Sequence, residues 1–100
     1  MSRTVTCLTI VAEAVLEQRL LEDLAAAGAR GWTITAARGS GPMNRRVSDI
    51  EGGSIRIEAL LSASATADMW RVLRDSYFAD YAVVAWAYEV QVSRSEHFGS

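Results

Sequence analysis

One cysteine, one histidine and one proline are all that 100 residues contain of these three types, and no apolar run approaches the length that spans a bilayer. Cys7 has no partner for an intrachain disulfide, which implies a reducing, cytoplasmic setting. It lies on an apolar strand pattern and reads as a small buried hydrophobe, not a nucleophile. His97 has no second ligand in sequence and reads as solvent-exposed, so no metal site is expected. The formal net charge of -2 supplies no broad positive field, which argues against nucleic-acid binding and requires any anion site to be local. Met1-Ser2-Arg3-Thr4 leads straight into a strand pattern without the regions of a signal peptide, and no internal repeat is present.

What is present is the material of a core. Half of the residues are hydrophobic, 50%, and 100 residues suffice for one domain but not two. Thr4 to Val11 alternates β-branched and apolar residues, as a strand does. From Glu13 onward Leu16, Leu20, Leu24 and Ala27 recur at helical spacing, with Glu17, Gln18, Glu22 and Asp23 on a solvated face and Gly28 as the stop. Trp32 to Ala37 and Ile55 to Leu61 predict two more strands. Ser64 or Thr66 is the expected cap of a second helix, with Asp68 in its first turn and Met69, Val72, Leu73 and Tyr77 facing inward. Tyr81 to Val92 predicts the last strand. The sum is β-α-β-β-α-β, the α+β, ferredoxin-like arrangement of two helices on one side of an antiparallel sheet.

Such a sheet leaves one face to water, and that face should be polar. Here it is not. Tyr81, Val83 and Ala85 alternate with Val84, Trp86, Tyr88 and Val90 in the last strand, and Leu8 and Ile10 alternate with Val5, Cys7 and Val11 in the first. Exposing each large side chain forfeits roughly 1.5–3 kcal/mol, so the second face is expected to be covered by further copies of the chain, with Trp86 at the interface. Crevices between copies then become candidate ligand sites.

Between the two central strands lies a segment with glycines at both ends, from Gly39-Ser40-Gly41 to Gly52-Gly53, and with Arg45 and Arg46 inside it. Glycine lets the backbone approach a ligand and present bare N–H groups, and guanidinium forks match phosphate or carboxylate. Alone, adjacent arginines read as solvated charge; flanked by glycines on a sheet, they read as an anion-responsive loop.

Gly31-Trp32-Thr33-Ile34-Thr35 followed by Arg38-Gly39-Ser40-Gly41 resembles the entry to the T-loop of PII signalling proteins, and Ile55-Arg56-Ile57-Glu58 resembles the strand after it. Arg45 within the loop and Tyr77-Phe78-Ala79-Asp80-Tyr81 before the last strand are similar to the PII-like regulators associated with bicarbonate transporters and carboxysomes. The resemblance runs from Thr4 to Phe98 and implies a homotrimer that binds adenine nucleotides in clefts between subunits and reshapes a T-loop at about residues 39–53. Position by position, it implies that Gly31 and Thr33 face the nucleotide and that Gly39 and Gly41 lie along its phosphates. Arg45 would contact phosphate, and Arg46 would stand in for a second arginine that this family places where Ser48 is found. Glu58 would be a carboxylate near the nucleotide. Arg38 and Ser40 complete the candidate nucleotide-binding set, and no catalytic residue or cofactor is expected.

Departures from the PII pattern sharpen the expectation. Gly41 is followed by Pro42-Met43, where PII proteins have an Arg-Gln pair, which speaks against magnesium and 2-oxoglutarate binding. No tyrosine lies between Thr33 and Met69 to be modified. Phe78-Ala79-Asp80-Tyr81 replaces a glycine- and lysine-rich loop, and its acidic residue favours ADP or AMP over ATP, with cyclic AMP a further candidate. The tail to Ser100 lacks paired cysteines, so no redox switch is expected there. Bicarbonate is the implied second ligand, and a bicarbonate transporter or carboxysome-associated protein the implied partner. An acylphosphatase-like enzyme would need an anion cradle after the first strand, which Val11-Ala12-Glu13-Ala14 does not offer. A structural or metal-tolerance trimer is the alternative, and it leaves Gly39, Gly41 and Arg45 without a task.

Overall fold

A computed structural model describes residues 3–38, 40–41, 45–46 and 53–93. Strand β1 (Arg3–Glu13) passes through a 3-10 turn (Ala14–Leu16) into helix α1 (Glu17–Ala27). Strand β2 (Trp32–Ala37) follows, then two short strands, β3 (Ser40–Gly41) and β4 (Arg45–Arg46), and the long β5 (Ser54–Leu61). Helix α2 (Ala63–Ser76) and strand β6 (Val84–Val92) close the order. The main sheet runs β2-β5-β1-β6 and is antiparallel throughout. With both helices on one face, this is the expected ferredoxin-like β-α-β-β-α-β fold.

The pleat sends alternate residues to opposite faces, and on the helix side they make one core. Leu8, Ile10 and Ala12 from β1 and Ile55, Ile57, Ala59 and Leu61 from β5 meet Leu16, Leu20 and Leu24, and Ala65, Met69, Leu73 and Tyr77 of the α2 segment. Gly28 closes α1 with a φ of 106°, a left-handed conformation in which its N–H bonds to Ala25 and that of Ala29 bonds to Leu24.

The structure corrects several boundaries. Strand β1 extends to Glu13, which is therefore not helical, because Glu13 still pairs with Ser54. Helix α2 is capped by Ser62 and not by Ser64 or Thr66: β5 ends at Leu61, so Ser62 is the last extended residue and its Oγ accepts from the Ala65 N–H at 3.2 Å. Ser64 and Thr66 fall inside the helix, and Thr66 donates its hydroxyl to the Ser62 carbonyl at 2.8 Å. Asp68 consequently lies past the first turn, where it pairs with Arg71 at 3.0 Å.

The last strand begins at Val84, not Tyr81. The N–H groups of Asp80 and Tyr81 both bond back to the Tyr77 carbonyl, so this stretch coils and cannot join the ladder. Two long-range contacts hold the coil. Glu13 accepts from the Ala82 N–H at 3.2 Å, and Arg19 donates to the Tyr81 hydroxyl at 3.3 Å and the Ser76 carbonyl at 3.4 Å. The Arg19 guanidinium also lies 4.5 Å from the centre of the Tyr77 ring, a cation–π contact. Asp23 is thereby drawn away from the expected solvated face: it accepts the hydroxyl of Tyr77. Burial, and then that hydrogen bond to the carboxylate, push the Tyr77 phenol well above the usual tyrosine range.

Replacing Ser62 with Ala should lower stability by about 1 kcal/mol in urea unfolding, whereas Ser64→Ala should change it by less than about 0.5 kcal/mol. For Tyr77 the folded state keeps its proton where the unfolded chain, titrating near the ordinary value of 10.0, gives it up. Stability supplied by the neutral phenol is full below that value and falls above it, by up to about 1.4 kcal/mol per pH unit. Between about pH 9.5 and 11 the urea midpoint of the wild type should drop more steeply than that of Tyr77→Phe. Parallel slopes would contradict a neutral, buried donor.

Candidate functional site

The face away from the helices is set by two registers that share β5. Glu58 is opposite Thr33 of β2 on one side and Thr9 of β1 on the other, and Thr9 is opposite Trp86 of β6. A single row, Thr33-Glu58-Thr9-Trp86, therefore crosses the whole sheet. The next row is Cys7 between Leu60 and Tyr88. Toward β2 the face is polar, in the middle it carries charge, and along β6 it is aromatic.

As the alternation predicts, the β1 and β6 part of this face is largely apolar. Val5, Cys7 and Thr9 are buried within it, while Trp86 and Tyr88 stand 40% and 46% exposed at its β6 side. Tyr88 carries a phenol pushed up in pKa, first by the Cys7 thiol opposite it in the register. Cys7 itself is unpaired and buried, in keeping with a small hydrophobe.

At the β2 edge the face opens into a shallow cleft of about 220 Å³, lined by Gly31, Trp32, Thr33, Glu58 and Leu60. Three of the candidate residues, Gly31, Thr33 and Glu58, thus meet in one concavity although Glu58 is far from the other two in sequence. Gly31 precedes the first strand residue and lines the cleft where β2 begins. Trp32 lies on the rim, more exposed than a core-filling tryptophan. Leu60 forms an apolar wall that sequence reasoning missed; its place two residues after Glu58 on the same strand face was the available signal.

Arg56 was also missed. Its guanidinium approaches Glu58 at 3.7 Å and lies 5.6 Å from the centre of the Trp86 ring. It therefore spans from the cleft carboxylate to the aromatic side of the sheet.

Beyond the other end of β2, Arg38 is exposed at the exit of the strand. Ser40 and Gly41 pair antiparallel with Arg46 and Arg45, so the backbone brings the second loop glycine opposite one arginine and the serine opposite the other. The stem is pinned to the sheet: the Ser54 hydroxyl donates to the Ala37 carbonyl, and the Ala14 N–H bonds to the Gly53 carbonyl at 3.0 Å. Gly53, at a φ of 77°, adopts a backbone that other residues rarely take. Gly39, Ser48 and the Pro42-Met43 pair lie outside the described residues, as do His97 and the C-terminal tail. Among the described residues no group of three His, Cys, Asp or Glu side chains is placed to hold a metal, and no helix is long and apolar enough to cross a membrane.

The family model described as nitrogen regulatory protein P-II matches residues 5–97. The chain belongs to the P-II family. No curated protein sequence matches it. Among solved structures, a protein of Thermus thermophilus assigned to the PII-like signalling proteins is 38% identical, with 97% of each chain covered and a TM-score of 0.83. CPII, a nitrogen regulatory PII-like protein from Thiomonas intermedia K12 bound to ADP, AMP and bicarbonate, is 19% identical over 100% of this chain and 98% of its own, with a TM-score of 0.87. GlnK of B. subtilis in complex with ATP is 20% identical over 90% of this chain and 84% of its own, at a lower TM-score of 0.57. In fold, this P-II chain is thus more similar to CPII than to GlnK.

Proposed function

We propose that this P-II chain is a regulator that binds an adenine nucleotide, ADP or AMP in preference to ATP or cyclic AMP, together with bicarbonate, in clefts between the subunits of a homotrimer. In this reading residues 1–100 form one PII-like domain whose T-loop spans about 39–53. Loop ordering then governs a bicarbonate transporter or carboxysome-associated partner in the cytoplasm, with no catalytic step.

One observation carries the reading: Gly31, Thr33 and Glu58 share a cleft on the edge of the sheet. A threonine hydroxyl, a carboxylate and an apolar wall at Leu60 suit a flat heterocycle with hydrogen-bonding edges. Arg38, the backbone of Gly39, Ser40 and Gly41, and Arg45 and Arg46 supply the phosphate contacts, a role favoured by the pairing of Ser40 and Gly41 with the two arginine positions across β3 and β4. The exposed Trp86 and Tyr88 favour a neighbouring subunit over that face, which would deepen the shallow cleft. CPII, whose structure contains ADP, AMP and bicarbonate, supports the choice of ligands through its likeness in fold. Bicarbonate would couple to the loop because its charge is welcome only where arginines and bare N–H groups converge.

Thermal unfolding with AMP, ADP, ATP and cyclic AMP, each with and without bicarbonate, tests this directly. A ligand at 100 times its Kd adds about 2.7 kcal/mol, which for a chain of this size raises Tm by on the order of 10 °C. ADP or AMP should give the larger rise, and bicarbonate should increase it. A trimer whose Tm responds to none of them would be the structural alternative. Arg45→Ala should weaken ADP about tenfold and leave the trimer intact; unchanged affinity would remove Arg45 from the site.

A further inference from the structure

A cleft that takes phosphate-bearing ligands has a problem in Glu58, whose carboxylate repels the ligand's own charge. The pairing pattern contains the means to offset it. Arg56 and Glu58 lie on the same face of β5, two residues apart, and approach to 3.7 Å. An exposed pair at this distance is weak when both side chains are free to wander. Arg56, however, has a second anchor, because its guanidinium sits 5.6 Å from the centre of the Trp86 ring, two strands away. Thr9, the residue that lies between Glu58 and Trp86 in the register, is 0% exposed on a face that no helix covers.

We propose that Arg56 is the positioning residue and internal counter-ion of the cleft: anchored on the Trp86 indole, it aligns the Glu58 carboxylate and offsets its charge toward a ligand whose base lies beside Gly31 and Thr33 and whose phosphates point to the loop. The inference rests on the nucleotide reading above and adds a source of discrimination to it. The carboxylate stays available to accept a hydrogen bond from the base, while the net charge beside the ligand stays near zero. Arginine suits the task better than lysine, since its planar group stacks on an indole and offers several donors at once. All ten basic residues of the chain are arginines, so the composition alone does not single out this one. Its contacts do.

The effect must grow with ligand charge, and that separates it from a merely structural one. Calorimetric titration of the wild type, Arg56→Gln and Arg56→Lys with adenosine, AMP and ADP reads it. Arg56→Gln should weaken adenosine least, AMP about threefold and ADP about tenfold, with the difference between the ligands shrinking as salt is added. Arg56→Lys should retain most of the affinity for ADP. Adding Glu58→Gln to Arg56→Gln should recover part of the loss for ADP, because the uncompensated charge is then gone. Trp86→Phe should reproduce a fraction of the ADP loss through a loosened Arg56. Equal losses for adenosine and ADP, or no loss for either, would overturn the inference while leaving the nucleotide reading in place. A wild type that binds none of the three ligands would overturn both.

Discussion

Strand β5 is paired on both sides, and the two registers that hold it fix everything else of consequence. Because side chains alternate with a period of two, one alignment both sends Ile55, Ile57, Ala59 and Leu61 into the helix-side core and puts Arg56, Glu58 and Leu60 on the opposite face. A slip of one residue against β1 would drive Glu58 into the core. The large apolar stake on one face therefore enforces the position of a carboxylate on the other. Core packing and site geometry are the same constraint seen from two sides of the sheet.

Much of this was legible in the sequence. The helical spacing of Leu16, Leu20 and Leu24, the stop at Gly28 and the strand at Trp32 to Ala37 were readable because each follows from local periodicity. Two-sided apolarity in the first strand was readable for the same reason. The errors arose where a distant partner decides. Tyr81 and Val83 have strand composition, but the Tyr77 carbonyl claims the N–H groups of Asp80 and Tyr81, and Arg19 holds the Tyr81 hydroxyl. Asp23 belongs by spacing to a solvated face, and only the packing of α1 against α2 gives it Tyr77. Ser62 was overlooked as a cap although the strand was expected to end at Leu61, because Ser62, Ser64 and Thr66 all carry a hydroxyl that can cap and composition does not choose among them.

For the candidate site, a resemblance supplied what periodicity could not. Nothing local links Gly31 and Thr33 to Glu58, and the β2–β5 register unites them. Leu60 and Arg56 went unnoticed because their significance is relational: one is the wall beside Glu58, and the other bridges that carboxylate to Trp86. Membership of the P-II family gives this geometry a functional frame. The end of β2 and the start of β5 are locked by the Ser54 hydroxyl on the Ala37 carbonyl and by the Ala14 N–H on the Gly53 carbonyl.

The central claim is that the edge cleft, and not the helix layer, receives the nucleotide. Backbone hydrogen exchange with and without saturating ADP measures this most directly. Slower exchange confined to residues 31–33 and 58–60 and to the loop after β2 is the outcome predicted here. Protection confined to the two helices, or an exchange pattern indifferent to ADP, would contradict it.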